Sequence, residues 1–276
     1  MVPVEETTPS LLVPSSGDFQ IAATFNANVT AAQRAVIQQA LNEWDAIIQS
    51  RGFTPGSYPI SFTNGPLAAR ALGLCDTKFS RSSGNLISAA ITISDTETFY
   101  VDPTPADDVE FAADPPPAGF DLLSVMRHEI GHAIGWTATN RTNGLIAGNV
   151  FDAPRMNIGI TAGGFHCDPA LHPDELMQPG LPESTRRPIR LYPTAALVGR
   201  AFQYQIPMQF VDPAAVGTQT GTAWEPWQSF GAAINLAPLD VPLLLAPQFF
   251  NVLANQTFSA RHSIFSARGE ATIRVP

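Results

Sequence analysis

Two histidines and a glutamate within five consecutive residues, His128-Glu129-Ile130-Gly131-His132, carry the clearest chemistry in this chain. On a helix, residues i and i+4 share a face, so His128 and His132 can present both imidazoles to one ion. Glu129 lies beside them on the same turn, placed to serve a water next to the ion rather than the ion itself. Leu122, Leu123, Met126, Ile130, Ala133 and Ile134 cover the opposite side and would anchor the helix in a core. Two histidines so spaced around a glutamate form the arrangement of zinc hydrolases. The plainer alternative is a pair of partly exposed helix histidines with a capping or pairing glutamate.

A catalytic zinc takes three protein ligands and keeps a fourth position open for water. The helix supplies two, so a third must return from elsewhere. His166 and His172 fall within 45 residues of the motif, whereas His262 is distant and reads as an ordinary surface or strand residue. The segment from Gly163 to Met177 offers His166, His172, Asp168, Asp174 and Glu175 as candidates.

His128-Glu129-x-x-His132-x-x-Gly135, followed by Met177 within Asp-Glu-Leu-Met-Gln-Pro, resembles the metzincin zinc proteases. The resemblance spans about residues 18 to 205 and is most specific from His128 to Met177. It implies that Gly135 lets the chain turn out of the helix towards a third histidine, and that Met177 forms a turn beneath the metal. The usual third histidine would fall at Ala138, which cannot coordinate. The leishmanolysin-like branch and some matrixin-like bacterial proteins are similar in carrying an insertion here. By that resemblance His166 is the third ligand, with His172 as the alternative, and Glu129 is the general base of a zinc-dependent endopeptidase acting on polypeptides. Cys167, next to His166, could bind zinc in a latent form; a disulfide to Cys75 that pins the insertion is the more ordinary reading.

The elements that must position these residues follow from periodicity and caps. Phe19, Ile21, Ala23 and Phe25 alternate as in a half-buried strand. Thr30 and Gln33 form a capping box, and Val36, Ile37, Ala40, Leu41, Trp44, Ile47 and Ile48 make one apolar stripe, closed by Arg51 and Gly52. Strands are expected around Ile60 and Phe62, over 86–93 and over 97–101; the resemblance to metzincins implies that one within 86–101 offers an open edge to substrate. The active-site helix runs from about Asp121 to Ile134; 137–164 is irregular apart from a short strand at Met156–Ile160; a further helix starts near Pro193. This order gives an α+β fold. Residues 1–17 read as a loose arm, 18–210 as a metzincin-like catalytic domain (twisted mixed sheet, long helix, active-site helix, Met-turn, C-terminal helix), and 211–276 as a small β-rich segment. That last part resembles the opening turn of a parallel β-helix, with a short helix at 229–234 and strands at Leu243–Leu245, Ser263–Phe265 and Ala271–Val275.

Composition narrows the partners. The chain of 276 residues carries 24 acidic against 15 basic residues, a net charge of −9, and Lys78 is its single lysine. A nucleic-acid surface needs clustered cations, so that partner is excluded. The most apolar stretch, Leu236 to Leu253, is broken by Pro238, Asp240, Pro242 and Pro247, short of the ~20 clean residues a membrane span needs. No basic start or apolar h-region stands at the N-terminus, which suits a secreted protein in mature form as well as a cytoplasmic one; with the resemblance, secretion is the expectation. Cys75 and Cys167 allow one disulfide or two free thiols. Two other functions remain open on sequence: a zinc hydrolase of small amides, and an adhesive or scaffold protein with a vestigial metal site.

Overall fold

The computed structural model describes residues 11–12, 19–48, 56–80, 86–137, 146–153, 156–173 and 175–189, together with five short strands between 209 and 274. Its centre is a mixed sheet built from β1 (Leu11–Leu12), β2 (Phe19–Phe25), β3 (Gly56–Gly65), β4 (Gly73–Phe79) and β5 (Leu86–Ser94), in the order β1-β2-β3-β5-β4. β2, β3 and β5 run parallel, while β1 and β4 run antiparallel to their neighbours. A parallel pair needs a crossover, and α1 (Ala31–Ile47) supplies it between β2 and β3. With α2 (Leu122–Ile134) this gives two α-helices beside a mixed sheet among the described residues.

The expected capping box closes α1. The Gln33 N–H donates to Thr30 Oγ1 at 3.2 Å, and the Thr30 N–H donates to Gln33 Oε1 at 2.9 Å. The helix ends sooner than Arg51 and Gly52 suggest, because Ile48 is already extended (φ −88°, ψ 101°); Arg51 and Gly52 themselves lie outside the described residues. Its stripe of Val36, Ile37, Ala40, Leu41 and Trp44 is wholly buried, as are Tyr58, Ile60 and Ile91 of the sheet. Burial of each such side chain is worth about 1.5–3 kcal/mol, so this layer dominates the local stability.

Polar ties then fix α2 within it. The Trp44 indole N–H donates to the Arg127 carbonyl at 2.9 Å, and the Tyr58 hydroxyl donates to the Ala133 carbonyl at 2.7 Å. Arg127 forms a bidentate pair with Glu43 of α1 at 2.5 and 2.7 Å. At the start of α2, Asp121 caps the Ser124 N–H at 3.0 Å and accepts from Arg186, which also pairs with Asp102 and Asp108. Arg186 thereby pins the segment after Met177 to the head of α2.

Three expectations change here. The strand expected over 97–101 shrinks to β6 (Phe99–Tyr100), which pairs with β7 (Phe120–Asp121). β5, the longer strand within 86–101, is not an edge, since it is sandwiched between β3 and β4; among the described residues β4, unread in the sequence, ends the five-stranded sheet, and β6 pairs with β7 alone. Residues within 137–164 are also less irregular than expected, since β8 (Ile146–Ala147), β9 (Val150–Ala153) and β10 (Met156–Gly159) form an antiparallel meander. Towards the C-terminus, β11 (Gln209–Val211), β12 (Leu243–Leu245) and β14 (Ile264–Ser266) pair in parallel, as do β13 (Phe249–Asn251) and β15 (Thr272–Arg274). The helices expected near Pro193 and at 229–234 fall outside the described residues. None of the described helices is long and apolar enough to cross a membrane.

Candidate metal centre

α2 delivers the histidine pair. His128 and His132 sit on the same helical face with ring centroids 4.7 Å apart, and their Nε2 atoms are 3.0 Å apart. Each Nδ1 is held by a backbone carbonyl: His128 by Leu176 at 2.8 Å, His132 by Trp136 at 2.6 Å. A carbonyl can only accept, so both Nδ1 atoms carry the proton and both Nε2 atoms present lone pairs. Burial keeps these rings neutral. It lowers His128 well below the usual histidine range, helped by its histidine neighbours, and lowers His132 to about 4. Two lone pairs facing each other at this distance repel unless a cation lies between them. Nitrogens ~2.0–2.1 Å from one tetrahedral ion stand about 3.3 Å apart, so the pair fits a metal.

The turn after α2 makes one of these carbonyl contacts. Gly135 adopts φ 149°, ψ −9°, a conformation that disfavours a side chain, and donates to the carbonyls of Gly131 and His132. The chain reverses there, and Trp136 points its carbonyl back at His132. Gly135 therefore ends the helix as expected, and its further effect is to orient a ligand.

His166 completes the group. Its ring centroid lies 5.2 Å from that of His128 and 5.1 Å from that of His132, and the three residues offer ligand atoms within 4.8 Å of one another. These three could hold a metal ion. Both neighbours of the His166 side chain are tied down. Its carbonyl accepts from the Thr161 N–H at 2.9 Å, and the Cys167 N–H donates to the Met177 carbonyl at 2.7 Å. Gly164 (φ 77°) makes the turn just before it. Burial lowers His166 to about 4. His172 stands apart from this group, its backbone N–H bonded to Asp168 and its carbonyl accepting from Gln178. Asp174 and His262 lie outside the described residues.

Met177 is fully buried under α2, so close that a Cβ on Gly131 would meet its Sδ at 2.8 Å. The turn around it also supplies the Leu176 carbonyl to His128. Glu129 is 6% exposed, and burial pushes its carboxyl up to about 8. It packs on Gly73 of β4, where an added Cβ would lie 2.6 Å from Glu129 Oε1.

His128, Glu129, His132, His166 and Gly73 line a cleft of about 1020 Å³, with β4 along one wall and Phe165, Leu176 and Gln178 to Leu181 along others. β4 and Gly73 are the parts that sequence reasoning missed. The signal was present but faint: Gly73, Cys75, Thr77 and Phe79 alternate with the exposed Leu74, Asp76 and Lys78. The disulfide between Cys75 and Cys167 is not formed. Cys75 faces the Thr77 hydroxyl on β4, whereas Cys167 is fully buried in the loop beside His166; burial raises both thiols far above their usual range. No protein-family model matches the chain, and no curated protein matches it.

Proposed function

We propose that the chain is a zinc-dependent endopeptidase of the metzincin type, with His128, His132 and His166 as ligands and Glu129 as general base. The observation that carries this reading is the pair of Nε2 atoms 3.0 Å apart on α2, with a third imidazole beside them and the buried carboxyl of Glu129 next in sequence to His128. Three imidazoles with an open side suit zinc. Bound there, zinc supplies Lewis-acid polarisation of the scissile carbonyl and lowers the pKa of a bound water to ~7.

The chain's own residues do the rest. A Glu129 carboxylate oxygen accepts the proton of the attacking water, and the same group returns it to the leaving amine nitrogen. The carbonyls of Leu176 and Trp136 keep His128 and His132 in the tautomer that frees Nε2. By the metzincin resemblance, an extended substrate aligns along the outer side of β4, which ends the five-stranded sheet among the described residues. A cleft walled by the strand that ends the sheet among the described residues supports a polypeptide substrate over a small amide.

Metal analysis combined with casein cleavage, with and without a chelator, tests this reading. Purified protein should hold about one zinc per chain and cleave casein until chelated. Glu129→Gln should keep the zinc and lose hydrolysis. Protein devoid of zinc after growth in zinc-replete medium overturns the proposal and favours the scaffold reading; loss of zinc on Glu129→Gln shows that Glu129 is a ligand instead.

A further inference from the structure

Arg187 is buried, and it joins α2 to the turn that carries Met177. Its backbone belongs to the helix side of this link. The Arg187 N–H donates to Ser124 Oγ at 2.7 Å, and its carbonyl accepts from Arg127 Nη1 at 3.0 Å, both partners lying on the helix that bears His128 and His132. Its side chain belongs to the turn side. Arg187 Nη1 donates to the Glu175 carbonyl at 3.0 Å and to the Gly180 carbonyl at 3.2 Å, one at each end of the turn. A guanidinium suits this task, because one nitrogen offers two N–H groups in a fixed fork and can hold two carbonyls at once. Between those ends the turn reaches two of the three histidines. The Leu176 carbonyl holds His128 Nδ1 at 2.8 Å, and the Met177 carbonyl accepts at 2.7 Å from the N–H of Cys167, next in sequence to His166.

We propose that Arg187 is a positioning residue for the metal centre, clasping the turn over 175–180 to α2 so that His128 and His166 keep the geometry a metal requires. This rests on the zinc reading of the three histidines and adds to it a residue that does not line the cleft. The neighbouring Arg186 has a different task. It pairs with Asp102, Asp108 and Asp121 and so places this segment at the head of α2. Arg187 uses that placement to grip the turn. Without its guanidinium the Glu175 and Gly180 carbonyls lose two charge-assisted bonds, and the turn can drift from α2, taking the Leu176 and Met177 carbonyls with it.

Zinc affinity, read by competition with a chelator, and the visible spectrum of the cobalt-substituted protein test the proposal. Arg187→Gln should bind zinc about tenfold more weakly, the low end of the ~10–100-fold that outer partners of ligands command, because Arg187 acts through the turn and not on a ring directly. Its cobalt bands should shift, since they report the arrangement of the ligands. Arg187→Lys keeps the charge but not the fork, and should recover part of the affinity. Ile60→Val, in the buried face of the sheet, gives the comparison for a purely structural effect. It should lower Tm but leave affinity and spectrum as in the parent, because global stability does not enter the affinity of a protein that stays folded. Folded Arg187→Gln protein that matches the parent in both readings overturns the proposal. If neither Arg187 variant folds, Ser124→Ala decides: it removes the hydroxyl that holds the Arg187 N–H and should weaken zinc binding severalfold, and unchanged affinity there overturns the proposal. A parent protein that takes up neither zinc nor cobalt refutes the metal centre itself, whereas a metal-loaded parent with an undisturbed Arg187→Gln variant refutes only the role of Arg187.

Discussion

Replacing Gly73 by alanine separates the chemistry of this site from its stability. An ideal Cβ at Gly73 lies 2.6 Å from Oε1, 2.7 Å from Cγ and 2.8 Å from Cδ of Glu129. Carbon contacts are comfortable at ~3.5–4.0 Å, so the Glu129 side chain must retreat by about 0.8 Å or more. The clashing atoms, Cγ to Oε1, belong to one side chain and not to backbone, so a χ1 change in Glu129 can relieve them, and removing a strand glycine returns about 0.5–1 kcal/mol. Catalysis has no such latitude. A misplacement of about 1 Å costs on the order of 10²-fold in rate, or roughly 2.7 kcal/mol of transition-state stabilisation. The expected outcome for Gly73→Ala is therefore kcat/KM for a quenched fluorescent peptide reduced about a hundredfold, with zinc content and Tm close to those of the parent. Because β4 also flanks the cleft, the split between kcat and KM matters: displacement of Glu129 lowers kcat, whereas a shifted substrate edge raises KM. A Gly73→Ala enzyme with one zinc and kcat within threefold of the parent would refute the assignment of Glu129, in its observed position, as the base.

Among the proposed ligands, His166→Ala should lower zinc affinity by more than the ~10–100-fold that losing an outer hydrogen-bond partner costs, whereas His172→Ala should leave metal content unchanged. Equilibrium dialysis reads both, and an empty site in His172→Ala with a filled one in His166→Ala would reverse the assignment. Asp45 tests the electrostatics of α1: burial raises its carboxyl to about 6, and it sits in the last turn of a helix that has no basic residue there. A carboxyl raised in the folded state stabilises the fold at low pH, and that contribution is lost as pH climbs from its unfolded value of ~3.9 through 6. Asp45→Asn should therefore raise stability at pH 7 by about 1 kcal/mol, after allowance for its solvent contact, and leave it unchanged near pH 4; thermal melts at both pH values check this, and an equal gain at both excludes titration as the cause.

How much of this site could be read in advance depended on whether a residue's own chemistry fixed its place. α2 was legible because its determinants are local: the apolar positions repeat at helical spacing, Asp121 caps the first turn, and Gly135 takes a conformation in which other residues are strained. His166 needed more. Nothing in its spacing from His132 dictates where the chain returns, and only the resemblance to metzincins chose it over His172. β4 was missed for a physical reason. Its inward positions hold Gly73, Cys75 and Thr77 before Phe79, so the buried face carries little apolar signal, while Leu74 faces outward. Pairing along β5 from Gly73 to Phe79 makes it a strand regardless, tertiary context overriding weak local preference.

The least legible part of the centre is the shell that orients the ligands, because it is made of main chain. The His128 and His132 rings are fixed by the carbonyls of Leu176 and Trp136, which any residue at those positions would possess. What the sequence can encode is the path that brings a carbonyl to the right place. Gly135 does so for Trp136 through its φ of 149°. Met177 does so for Leu176, because its buried side chain reaches into the space left by the missing Cβ of Gly131 and seats the turn under α2. Gly131 and Met177 thus act as a complementary pair, and so do Gly73 and Glu129: in each, a side chain occupies the volume that a glycine leaves empty. Within a motif read for its histidines and glutamate, the glycines set the distances at which those side chains work.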